Sequence, residues 1–269
     1  MKTSKRPASF WSWLWVFLGC AYFLIPLIAT VDFSLRAKKG MLSFLAYERV
    51  LQDPAFWHSF LFSLEMALLT VIFSVLLVVP TAFWIHLKFP NMRSVVEFIT
   101  LLPFVVPAIV LVFGMLRIYS GGPFYLTNTT TGTNILLVAN YMVLALPYMY
   151  RSTDNGLRAI NVRALTEAAQ SLGAGWGTIL IRIILPNLRS AILSGTFLTV
   201  AIVMGEFTIA SFLVGLNAFG PYMSQVGLNK AYESSSLAII SFILTWSSMG
   251  LIQWVTRSSG SRGVVGGAR

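Results

Sequence analysis

Charge is scarce in this chain of 269 residues: 19 Lys and Arg and 9 Asp and Glu make up 10% of it, against about 25% in soluble globular domains. So few charges cannot clothe a soluble body of 29.8 kDa, and a soluble domain is excluded. With 57% apolar residues, a disordered tail is excluded too. A single cysteine, Cys20, rules out an internal disulfide; free cysteines pack as small apolar residues, so Cys20 is expected to be buried. The two histidines, His58 and His86, stand far apart and belong to no metal-spaced cluster, so no metal site is expected. No Gly-Lys pair occurs, which removes any Walker-type phosphate loop. Any ATP that drives this protein binds to another chain. No carboxylate pair shares a short motif, so no catalytic site is expected. What is abundant is apolar and aromatic, with 20 Phe, 8 Trp and 9 Tyr, and the composition is that of an integral membrane protein. The net charge of +10 lies in short stretches between apolar runs, a pattern of membrane topology rather than of nucleic-acid binding.

Six apolar runs are long enough to cross a bilayer. They fall at about Phe10–Val31, Ser59–Trp84, Val95–Leu116, Asn134–Tyr150, Ser190–Val214 and Leu237–Val255. Their length and uniform apolarity predict helices rather than barrel strands, giving an all-α membrane protein of about six transmembrane helices. The first run is too long for a signal-peptide core and no small-x-small cleavage site follows it, so it reads as an anchor. Thirteen Lys and Arg fall on the side that holds both termini and six on the other; the positive-inside rule makes the first side cytoplasmic. Outside, residues 41–57 have helical spacing and predict a short surface helix. The glycines and Pro221 of 215–233 predict a sharply turning loop, and 120–133 reads as an exposed loop.

The longest cytoplasmic connection runs from Arg151 to Arg189. Within it Leu165, Ala168, Ala169 and Leu172 recur at helical spacing and make a narrow apolar stripe. Gly173 follows directly and suits the left-handed residue that ends a helix. A second short helix, about Thr178–Ile184, is predicted to stop at Pro186. Such a knob suits a groove on a cytoplasmic partner.

The run from Glu167 to Pro186, EAAQSLGAGWGTILIRIILP, resembles the signature of permease subunits in binding-protein-dependent ABC importers. Glu167, Ala168, Ala169, Gly173, Ile183, Leu185 and Pro186 occupy the signature positions at matching spacing, and Leu172 belongs to the same stripe. The resemblance implies a division into an anchor span and outer loop (1–57), an importer transmembrane domain (58–256) and a cytoplasmic tail (257–269). It implies a coupling helix between spans four and five, docked on a separate ATPase subunit that binds ATP and Mg. It implies a second permease subunit, alike or related, two ATPase subunits and an extracytoplasmic binding protein that delivers a small solute. The setting implied is the lipid of a bacterial inner membrane. The nearest resemblance is to permeases for spermidine and putrescine, ferric iron and phosphonate-type compounds.

An ionisable group inside a span is costly in lipid, which marks Glu65 and Glu206 as candidates for the pathway. The alternative is a carboxylate buried in a helix interface and bonded to its neighbours. Tyr141 and Tyr148, with Tyr150, are further pathway candidates in span four. Trp11, Trp13, Trp15, Trp246 and Trp254 read as interface anchors or packing. Uncompensated intramembrane carboxylates suit a cation, so a polyamine is the expected solute. An oxyanion remains open, because the Gly-Glu-Phe run of span five also recurs among oxyanion permeases. An ion-gradient-driven carrier would leave the cytoplasmic knob unexplained.

Overall fold

A computed structural model describes residues 10–38, 40–121 and 125–258. Lys2, Lys5, Arg6, Lys39 and the basic residues beyond Ser258, which entered the charge count, lie outside these. The described chain is helical, with an isolated β-bridge between Lys38 and Met41 and no named strand. It divides into two compact units.

The larger unit comprises Ala55–Tyr222 and Thr245–Arg269. Its long helices are α3 (Pro54–Lys88), α6 (Thr130–Arg158) and α10 (Arg189–Gly205). Both α3 and α6 overrun the expected spans at each end, because Pro54 can open a helix and Thr129 caps one: its side chain accepts from Gly132 N at 3.0 Å. The 120–133 segment is therefore only partly loop. Its second half opens α6, and Leu126–Asn128 forms a single 3₁₀ turn packed on Gly132, where no Cβ would fit. Along α6 and α10 the backbones approach closely at Gly156, against Ala191 and Leu188, and at Gly195, against Met149.

The third expected span is not straight. α4 (Arg93–Val105) and α5 (Ala108–Tyr119) meet at 97°. Pro107 forces Val106 out of the helical region, to ψ 116°, and supplies no amide to carry the helix through. Span five also breaks. α10 stops at Gly205, and α11 (Thr208–Leu213) restarts three residues on. The rings of Phe113 on α5 and Phe212 on α11 meet at 4.8 Å. Three unbroken helices, Trp11–Ser34, α3 and α6, are long and apolar enough to cross a membrane; counting each of two bent pairs as one span raises this to five.

The smaller unit comprises Met1–Pro54 and Met223–Leu244. Its first helix, α1 (Phe10–Ser34), has no buried residue in its most apolar stretch. Cys20 is accordingly exposed, against expectation: the thiol has no core of its own chain to enter. The outer helix expected in 41–57 is α2 (Leu45–Gln52). The expected loop 215–233 is instead a 3₁₀ turn at Gly215–Asn217, then α12 (Phe219–Asn229), then α13 (Ala231–Ser258). Only Gly215 of that stretch takes a positive φ, 58°; Pro221 sits in the first turn of α12, where its missing amide is not needed. Within this unit Arg49 Nη1 donates to Glu233 Oε1 at 2.8 Å, and Phe33 stacks on Tyr232 at 4.8 Å.

Candidate functional site

The connection between α6 and α10 is built from sequence signals that act one after another. α6 ends at Arg158, and Asn161 caps the next helix by accepting from Ala164 N at 3.1 Å. That helix, α7 (Val162–Ser171), presents two faces. Val162, Thr166 and Ala169 are buried, with Val162 and Ala169 packed in a core shared with Phe83 and Ile85 of α3 and Tyr150 and Leu157 of α6. On the other face Ala168 is exposed and Leu172 is 89% exposed, with Leu165 half-buried. The expected stripe therefore divides. Ala169 belongs to the chain's own core, because it lies seven residues from Val162, while Ala168 and Leu172 point away from it.

The end of α7 has the expected geometry. Gly173 has φ +81°; its N–H donates to Gln170 O at 2.9 Å, and Ala174 N–H donates to Ala169 O at 3.0 Å. This is the six-to-one and five-to-two pairing of a glycine-terminated helix. Glu167 stays in solvent, with its carboxylate 3.7 Å from Arg163 one turn earlier.

Beyond Gly173 the second helix differs from expectation. A single turn, α8 (Trp176–Thr178), leads into a wide π-turn over Ile179–Ile184 and then α9 (Leu185–Asn187). Pro186 does not stop the helix. It falls in the first turn of α9, where the wider hydrogen-bond spacing upstream has already released its amide position. The direction changes by 74° where this stretch meets α10, with Leu188 fully buried at the corner. Ile183 is half-buried against the shared core, Leu185 is half-buried and Pro186 is exposed. Trp176 lies against Trp84 at 4.8 Å, and Lys88 Nζ sits 4.7 Å and 5.2 Å from the two ring centroids.

A charge cluster that sequence reasoning missed joins α3, α4 and α6. Asp154 Oδ1 accepts from His86 Nε2 at 2.7 Å, its Oδ2 accepts from Arg93 Nη2 at 2.7 Å, and Oδ2 also accepts from Arg158 Nε at 2.9 Å. Asp154 and Arg158 stand four residues apart, which was a legible helical pair. His86 and Arg93 had no local signal, since they lie 68 and 61 residues away.

The pathway candidates are not brought together. Glu65 is exposed, has no hydrogen bond or ion pair among the described residues, and lines a groove of about 450 Å³ between α3 and α6 with Phe73, Thr131, Asn134 and Met142. Glu206 sits at the break after α10 rather than inside a helix: its Oε1 accepts from Ile209 N at 2.9 Å and its Oε2 from Ala210 N at 3.0 Å. Its backbone carbonyl is overlain by Gly220 so closely that no Cβ would fit. Tyr141 is buried, 2% exposed. Tyr148 is half-buried, edge-on to Phe104 at 5.5 Å.

The connection is thus an elbow of helix, left-handed glycine, wide turn and sharp bend between the apolar helices α6 and α10. Residues 67–259 match the family described as binding-protein-dependent transport system inner membrane component. The chain belongs to that family. It is a multi-pass inner-membrane translocation subunit of an ABC importer, and in this family ATP hydrolysis is carried out by a separate ATPase subunit. Among its relatives, the spermidine/putrescine transport system permease protein PotC of Haemophilus influenzae is 26% identical over 252 residues, covering 91% of this chain and 95% of that protein. The molybdenum transport system permease protein ModB of Escherichia coli is 29% identical, covering 79% and 98%. A bacterial alginate ABC transporter, solved with an alginate pentasaccharide-bound periplasmic protein, superposes with a TM-score of 0.69 at 16% identity, covering 93% of this chain and 94% of the solved one.

Proposed function

We propose that this permease forms one half of the solute pathway and takes its drive through the exposed face of α7. The observation that carries this reading is the placement of Leu172, an apolar side chain 89% exposed at the end of a helix whose opposite face is locked into the core. Leaving one leucine in water costs about 1.5–3 kcal/mol relative to burying it, and a groove on an ATPase subunit recovers that. Glu167, Ala168 and Gly173 frame the contact, while Ile183, Leu185 and Pro186 carry the displacement into the bend before α10. Each of two permease subunits, alike or related, offers one such helix to one of two ATPase subunits. An extracytoplasmic binding protein supplies the solute from the other side.

Small polyamines are the solute we favour. The polyamine permease PotC matches across most of this chain, and Glu65 is a carboxylate without a partner among the described residues, on the wall of a groove. A molybdate-like oxyanion is the second reading, favoured by ModB.

Leu172→Glu tests the coupling. The side chain makes no packing contribution to its own chain, so the melting temperature of the permease is expected to stay unchanged while the ATPase no longer co-purifies. Retention of the ATPase in that variant refutes the assignment. Uptake of labelled spermidine or molybdate into vesicles carrying the complete, ATP-loaded importer and its binding protein separates the two solute readings.

A further inference from the structure

Asp154 is the one buried acidic side chain among the described residues. Its carboxylate is 6% exposed and is held by three cationic or hydrogen-bonding partners from different places: His86 near the end of α3, Arg93 at the start of α4, and Arg158 on its own helix α6. A buried carboxylate is costly unless it is fully paired, and this one is. The sequence neighbours of these residues, Phe83 and Ile85 on α3 and Tyr150 and Leu157 on α6, form the core into which Val162 and Ala169 of α7 insert. The charge cluster and the core that seats α7 therefore lie on the same helices, α3 and α6.

The attachment of α4 shows what the cluster adds. Thr100 is the only buried residue of α4; Val96 reaches the shared core as a partly buried neighbour, and Phe104 meets Tyr148 edge-on. The charged link from α4 to α6 is the Arg93–Asp154 pair, in which Arg93 Nη2 reaches Oδ1 at 3.0 Å and Oδ2 at 2.7 Å. Thr100, with Val96, Leu101 and Pro103 partly buried, packs α4 along α6, and the Arg93–Asp154 pair adds a charged tie at the start of that contact. A push delivered to α7 reaches α3 and α6 through the shared core, and Asp154 ties the start of α4 to the same helices.

We propose that Asp154 is a positioning residue for the coupling step: it binds the inner ends of α3, α4 and α6 into one body, so that displacement of α7 moves them together. The proposal rests on α7 being the ATPase contact.

The test uses the complete importer in lipid discs, with Cys20→Ser, Val95→Cys on α4 and Arg151→Cys on α6 carrying spin labels. The label distance is measured without nucleotide and with ATP and vanadate trapped. In the parent protein the distance is expected to be narrow and the same in both states. In Asp154→Asn and Arg93→Gln it is expected to shift by several ångströms between the two states, because α6 moves and α4 lags. A residue that only stabilises the fold would lower yield or melting temperature, or broaden both states equally, without creating a nucleotide-dependent shift. Absence of that shift in the variants overturns the proposal. Should Asp154→Asn fail to insert, Arg93→Gln and His86→Gln, which remove one partner each, decide the matter by the same criterion. Gly173→Val is the control for the underlying reading. If the ATPase stays bound and active with that variant, α7 docking is wrong. If docking is lost there but Asp154→Asn shows no shift, docking stands and the role of Asp154 falls.

Discussion

Glu206 shows how one residue can satisfy two expectations that differ in consequence. An acid within an apolar run reads as a pathway residue, because lipid cannot hold it. The structure spends both of its oxygens on the first free amides of α11, which lie at the positive end of that helix. Removing a cap costs about 0.5–2 kcal/mol. Glu206→Ala is therefore expected to lower the melting temperature of the complex in lipid discs while leaving the solute concentration for half-maximal ATP hydrolysis unchanged. A large rise in that concentration with unchanged melting would return Glu206 to the pathway. The sequence carried the glutamate but not the break beside it: Gly205 marked a distortion, whereas the dependence on Gly220 fourteen residues later is a tertiary contact with no local trace. Gly173 was the opposite case. Its left-handed backbone follows from the helix pattern before it, because a helix that must end in a reversal needs a residue without a Cβ.

The elements were legible where the cause is local. Apolar length gave α1, α3 and α6, and the spacing of Leu165, Ala168, Ala169 and Leu172 gave α7. Which face of α7 turns inward was not legible, since Val162 and Ala169 find their partners on α3 and α6, far away in sequence. The π-turn over Ile179–Ile184 escaped for the same reason: a proline signals a missing amide, but not whether a wider turn upstream absorbs it. The pairing of α6 with α10 yields a prediction of its own. A Cβ at Gly195 would lie 2.8 Å from Met149 Sδ and 3.4 Å from the Met149 Cα. The sulfur end can yield and the backbone cannot. Gly195→Leu is expected to destabilise the complex by about 1–3 kcal/mol through overpacking, read as a lowered melting temperature, whereas Gly205→Ala, with open space around it, is expected to change little by sterics. Equal melting of the two variants would show that α6 and α10 do not pack this closely.

At the scale of the whole molecule the orientation follows from charge. With thirteen basic residues on the side of the termini and six opposite, both ends are expected in the cytoplasm. The natural Cys20 is exposed on α1, so the test begins from Cys20→Ser. In whole cells, Thr129→Cys, at the outer start of α6, is expected to react with a membrane-impermeant thiol reagent, and Ser258→Cys, at the end of α13, to resist it until the membrane is opened. The reverse pattern would overturn the orientation and with it the placement of α7 on the cytoplasmic face.

The division of labour across α7 also bears on how such importers diverge. Val162, Thr166 and Ala169 are constrained by the fold around them, so a change there is felt within one polypeptide. Ala168 and Leu172 have no such duty within the chain, so what constrains them is the partner proposed to dock there. A duplicated permease could acquire a private motor by exchanging two or three side chains, with its membrane helices untouched. On the proposed docking, exchanging the exposed positions 168 and 172 between paralogues in one cell is expected to shift which ATPase each transporter draws on.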